Sequence, residues 1–176
     1  MSPRVQPLER FDDAQRAELA KAPKRPDGRP LNLFATLAHD PQLLRRVNAL
    51  GGYFPRHGRL DVRTRELAIL RTAARTGCAY EAHHHADPGA QAGLSPAELA
   101  AIADPARAHD WAPRDRALLA FVDALLEHHE VDDAGWSAVD GHLDERDRLE
   151  LLILVGFYTM LGGLLSTVQV ELDPLR

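Results

Sequence analysis

The stretch from Val62 to His85, VRTRELAILRTAARTGCAYEAHHH, decides the fold class, because it reads as two consecutive helical patterns, 61–76 and 79–92, without strand-like alternation. In the first, Val62, Leu67, Ile69, Leu70, Ala73 and Ala74 recur at helical spacing. Glu66 falls inside that apolar stripe, flanked by Arg63 and Arg65 and followed by Arg71. A carboxylate on an inward helix face has to be paired, solvated in a pocket or shifted in proton affinity. Glu66 is therefore a functional candidate. An ordinary ion pair with Arg63, or with an arginine of another helix, is the alternative reading.

The second pattern carries a thiol, a carboxylate and imidazoles within a few turns. A helix rotates by about 100° per residue, so with Glu81 at zero, Cys78 lies near 60° and His85 near 40°. One face thus presents Cys78, Glu81 and His85. His84 lies to one side and His83 points nearly away, so the triple-histidine run is not one cluster and His85 is the imidazole of interest. Glu81 and His85, four residues apart, also fit an ordinary surface pair, and a lone cysteine such as Cys78 also fits a small core residue.

Outward from this stretch the chain continues as helices punctuated by turns. Patterns at 12–21, 31–38, 41–56, 95–103, 113–129, 132–142 and 144–170 complete an all-α reading. Ser95-Pro96-Ala97-Glu98 combines an N-cap hydroxyl, a proline at the first helical position and a glutamate three residues on. Pro88 removes a backbone donor inside the 79–92 helix, and a kink or break is expected there. Residues 1–30 form an N-terminal arm, a first helix and the linker-like loop KAPKRPDGRP, which either orders against a neighbouring subunit or stays mobile. Residues 31–176 form the main helical domain.

The 176 residues, 45% hydrophobic and 27% charged, suffice for one domain with a substantial core. A net charge of -5 argues against a general nucleic-acid binder. A single cysteine allows no internal disulfide, and with no apolar leader after Met1 a reduced cytoplasmic setting is expected. The segment 149–170 approaches the length that spans a bilayer, but its polar residues and three glycines favour a buried or oligomer-interface helix over a membrane span. No phosphate-binding glycine loop or dinucleotide fingerprint is present. A metal site built from Glu81, His84, His85 and Glu66 lacks an H-E-x-x-H signature, and none is expected.

The ordered set Asn32-Leu33-Phe34, His39-Asp40-Pro41, Arg65-Glu66-Leu67-Ala68-Ile69-Leu70-Arg71, Cys78-Ala79-Tyr80-Glu81, His85 and Ala92-Gly93-Leu94-Ser95, continued by Val155-Gly156-Phe157-Tyr158 and Val170-Glu171-Leu172, resembles the carboxymuconolactone decarboxylase family, related to the alkylhydroperoxidase D proteins. The resemblance covers most of the chain. It implies an alkylhydroperoxidase D-like bundle of about eight helices, assembled as a homo-oligomer (a trimer or hexamer), with its site in a cavity near the subunit contact.

In the peroxidase branch of that family a glutamate precedes a C-x-x-C motif, and a histidine follows four residues after the second cysteine. Glu66, Cys78 and His85 match three of those positions, and the fourth is Glu81. Without the second thiol the internal disulfide of a two-cysteine peroxidase cannot close. The leading expectation is cofactor-independent acid/base chemistry on a small organic acid or lactone, of decarboxylase or isomerase type. His85, Glu66, Glu81 and Cys78 are the candidate catalytic residues, with Tyr80 and Arg71 as candidate substrate-binding residues. A one-cysteine alkylhydroperoxidase-like enzyme and a non-catalytic small-molecule binding protein are the alternatives.

Overall fold

The computed structural model describes residues 2–104 and 107–174, and among these it is all helical apart from one isolated bridge, Lys24 to Pro30. The helices are α1 (Asp13–Leu19), α2 (Asn32–Leu37), α3 (Pro41–Gly51), α4 (Tyr53–His57), α5 (Val62–Thr76), α6 (Ala79–Gln91), α7 (Pro96–Ala103), α8 (Pro113–His128), α9 (Asp133–Ala138) and α10 (Glu145–Val168). The single pattern expected over 41–56 divides at Gly52, so eight expected helices beyond residue 31 become nine.

Local chemistry accounts for most helix ends. Asp61 accepts the Thr64 amide to cap α5, which stops at Gly77 in the left-handed conformation, φ 67°. The Ser95 hydroxyl accepts the Glu98 amide and the Glu98 carboxylate accepts the Ser95 amide, the expected capping box of α7. The break expected at Pro88 does not occur, and α6 continues to Gln91. Proline there still forfeits an amide bond to the His84 carbonyl, a cost the packed helix carries. The next residue, Gly89, also lets α6 close on α5, since a Cβ there would lie 2.8 Å from Leu70 Cδ1.

The chain packs as two compact units, one through His57 with the segment from Leu164 onward, the other Gly58–Gly163, so the boundary expected at residue 30 falls inside the first. In the first unit the KAPKRPDGRP loop is ordered by the chain's own C-terminal segment. Asp173, fully buried, accepts the Asn32 amide at 3.0 Å and pairs with Arg25 at 3.7 Å. Asp173→Asn is expected to cost this unit about 1.5–3 kcal/mol, the worth of one charge-assisted hydrogen bond, read as a lower denaturant midpoint at unchanged slope.

The Gly58–Gly163 unit holds the candidate residues. Its core is Leu67, Ala68 and Ile69 of α5, Phe121 and Val122 of α8, and Leu151, Leu154 and Val155 of α10, all buried. Arg59 pins the start of α10: its guanidinium pairs with Asp144 at 2.6 Å and Asp147 at 3.0 Å, and its amide donates to Glu150 at 2.6 Å. Helix α10 is long and apolar enough to cross a membrane by length and composition. One of its faces is nevertheless committed to this core, through Leu151, Leu154, Val155, Phe157 and Leu161.

Candidate active site

Helices α5 and α6 bring Glu66, Glu81 and His85 together. Both glutamates are buried, each 4% exposed. His85 Nδ1 lies 2.7 Å from Glu66 Oε2, and His85 Nε2 lies 3.5 Å from Glu81 Oε2. The imidazole is thus clasped between two carboxylates, one on each ring nitrogen. The short contact fits an Nδ1–H donating to Glu66, which turns Nε2 toward Glu81.

Arg65 completes the pairing, its Nε lying 3.3 Å from Glu66 Oε1. Burial pushes the Glu81 carboxyl above the usual carboxylate range, and the nearby imidazoles of His85 and His84 only partly oppose this. Its Oε1 is buried without a hydrogen-bond partner among the described residues. A protonated Glu81 is therefore a stored acid beside an imidazole able to take its proton.

Tyr158 of α10 forms the remaining wall, its ring edge-on to His85 with centroids 5.2 Å apart. Burial, with the charges of Glu81 and Glu66, holds its phenol far above the ordinary range, so it stays protonated.

The structure disposes of the other candidates differently. Cys78 is the N-cap residue of α6, 2% exposed and one turn before Glu81. Gly162 makes room for it, since a Cβ there would come within 3.3 Å of Cys78 Cβ. Tyr80 is buried and stacks on His84, with centroids 4.5 Å apart, rather than on His85. Arg71 does not face the cluster as a spare cation. It makes a bidentate pair with Asp123 of α8, at 2.7 and 2.5 Å, so its charge is already matched. Nor is Arg63 the partner of Glu66; it bonds Glu98 and Asp115 at 2.5 and 2.6 Å.

Arg65 and Tyr158 are the groups the sequence reading did not assign. Arg65 had one signal, adjacency to Glu66. Tyr158 stood within Val155-Gly156-Phe157-Tyr158, which carried part of the resemblance, but no role was attached to it. Among the described residues no group of three or more histidines, cysteines or carboxylates has a metal-binding arrangement.

The carboxymuconolactone decarboxylase family model matches residues 41–124, a segment that contains Glu66, Cys78, Glu81 and His85. The match spans a little under half of the chain. Tyr158 lies outside it. No curated protein matches the chain. Several solved structures share the alkylhydroperoxidase D-like bundle. One is an alkylhydroperoxidase AhpD core, an uncharacterised peroxidase-related protein of Ralstonia eutropha JMP134, with TM-score 0.78 and 22% identity over 98% of this chain and 94% of that one. A peroxidase-related protein of Silicibacter sp. TM1040 superposes with TM-score 0.74 and 17% identity, covering 98% and 95%. A cysteine-to-alanine variant of the debrominase Bmp8, in complex with 2,3,4-tribromopyrrole, gives TM-score 0.75 and 14% identity, covering 98% and 93%. At these identities the likeness is one of fold.

Proposed function

We propose that this protein is a cofactor-independent acid/base enzyme of the carboxymuconolactone decarboxylase family acting on a small organic acid or lactone, as a decarboxylase or isomerase. One observation carries the reading: His85 is held between two buried carboxylates with different tasks. Glu66, paired to Arg65, orients the ring through Nδ1. Glu81, its acid form favoured by burial, faces Nε2. A proton can therefore pass between Glu81, His85 and a substrate atom while Glu66 stabilises the imidazolium that forms. Tyr158 supplies a second, permanently protonated donor at the same wall.

The test is turnover against a panel of small acids and lactones, followed by proton exchange with deuterated solvent. Wild type should exchange and turn over a member of the panel. Full turnover retained by both His85→Ala and Glu66→Gln would sink the reading.

Cys78 supports a second reading, a one-cysteine peroxidase using an external thiol. It sits at the N-terminus of α6, where the helix favours a thiolate, and a protonated Glu81 would oppose that thiolate less than an ionised one. Under this reading peroxide reduction with an external dithiol is lost in Cys78→Ser. Under the acid/base reading wild type shows no peroxide reduction above background.

The proposal includes a homo-oligomer joined through α10. Leu149, Ile153 and Met160 are 61%, 55% and 53% exposed. With Gly156 and Gly163 they repeat at alternating spacings of four and three, the pattern of a helix seam, and the glycines leave room for close approach. Ile153→Glu with Met160→Glu is expected to lower the mass measured by light scattering to that of a smaller assembly. An unchanged mass would move the interface elsewhere.

A further inference from the structure

Helices α5, α6 and α7 line a partly open cleft of about 300 Å³, bordered among others by Leu70, Ala73, Cys78, Ala82, Ala86 and Ile102. Apart from the Cys78 thiol, no side chain on its walls carries a polar atom. Its volume lies at the lower end of the range of small-molecule pockets.

The cleft and the cluster share both helices. On α5, Leu70 and Ala73 follow Glu66 by four and seven residues, so they continue its stripe one and two turns on. On α6, with Glu81 at zero and His85 near 40°, Cys78 lies near 60° and the cleft residues Ala82 and Ala86 near 100° and 140°, at about 100° per residue. Cys78 stands at the junction of the two regions. A molecule seated in the cleft with one end at Cys78 would present that end toward Glu81 and His85.

The charges around that end select against an anion. The Glu66 carboxylate already takes up Arg65, the only guanidinium paired with either glutamate among the described residues, and Glu81 in its acid form brings no positive charge. Arg71 and Arg75 are matched by Asp123 and Glu127. A free carboxylate entering here would lose its hydration beside the Glu66 carboxylate, with no unmatched guanidinium among the described residues named above to receive it.

We infer that the substrate of this site is a neutral carbonyl compound with an apolar aryl or alkyl group, the group seated in the α5–α6–α7 cleft, rather than a di- or tricarboxylate. This rests on the acid/base reading for the role of the reacting end, whereas the binding claim stands on the cleft and the charges.

Two probes with the same carbon skeleton test it by calorimetry on the full chain: γ-phenyl-γ-butyrolactone, which is neutral, and its ring-opened form, 4-hydroxy-4-phenylbutyrate. The lactone is expected to bind saturably, at least tenfold tighter than the hydroxy acid, with the gap narrowing in Glu66→Gln, which removes the negative charge and frees Arg65. Ala82→Leu and Ala103→Leu fill the cleft from α6 and α7, and each should weaken the lactone at least tenfold. Ala103 is exposed, so its variant is expected to fold even if the other does not.

The inference is overturned by no lactone binding, by equal or tighter binding of the hydroxy acid, or by lactone affinity unchanged in Ala103→Leu. It is also overturned if the cleft-filling variants change the oligomeric mass, which would make the cleft a protein interface. His85→Ala separates the two claims. Lactone binding retained, with turnover of an identified substrate also unchanged, would end the acid/base reading and leave the cleft assignment standing.

Discussion

His85→Ala is expected to lower kcat by roughly 100- to 10,000-fold on the substrate the enzyme turns over, with a much smaller effect on KM. The imidazole lies against both carboxylates, at 2.7 Å to Glu66 and 3.5 Å to Glu81. Removing it deletes the proton carrier and leaves two acidic groups without their shared partner. Glu66→Gln should cost less than His85→Ala, because an amide oxygen still accepts from Nδ1 while the negative charge that stabilises the imidazolium is gone. That ordering distinguishes orientation with charge stabilisation from direct proton transfer. Equal losses in the two variants would mean that Glu66 itself handles the proton. Steady-state kinetics on the two variants, with circular dichroism to show that each is folded, reads the result.

Glu81→Gln is expected to raise stability while lowering activity, and to do so mainly at alkaline pH. The sign follows from linkage. Burial raises the folded-state pKa of Glu81 above its unfolded value, so the folded form holds the proton more tightly. Its contribution is fully present below the unfolded pKa and is lost as pH rises through the folded one, where a buried carboxylate must ionise. Glutamine does not titrate and removes that loss. Relief of a buried, poorly satisfied charge is worth about 1–3 kcal/mol, and for a chain of this size each kcal/mol moves Tm by roughly 2–4 °C. Melting curves from pH 5 to pH 9 should show the variant and wild type converging in acid and separating in alkali. Curves that run parallel would mean that Glu81 is not held in its acid form by the fold. A group that costs stability where it is needed for proton transfer is a familiar property of functional sites.

Much of this site was legible because helices are periodic. Glu66 stood out as a carboxylate inside an apolar stripe, and Glu81 with His85 followed from a four-residue spacing within one helix. Both are local properties, and the structure brings these three residues into one cluster. The failures were non-local. Arg71 looked available to a substrate, but its partner Asp123 lies 52 residues away on α8, and no local pattern pairs them. Arg63 was one of the partners offered for Glu66 under the ion-pair alternative, and nearby arginines on a helix differ too little in sequence terms to reveal that Arg65 reaches it instead. Pro88 was expected to kink or break α6, yet the helix runs on to Gln91, with Gly89 close against Leu70, so packing on α5 outweighs the lost amide bond. The loop at 21–30 had no apparent anchor, because Asp173 reaches it from the far end of the chain.

The sequence by itself determined the all-helical class, the caps and turns that bound α5 and α7, and the stripe that carries Glu66, since each depends on neighbours within a turn or two. It also excluded an internal disulfide, because one cysteine has no partner. Only the tertiary structure decided which cations are already matched, that Tyr158 of α10 walls the cluster, and that Cys78 lies between a charged stripe and an apolar cleft. Those facts depend on side chains meeting across helices far apart in the chain. Such meetings are set by packing and burial, which local spacing does not encode.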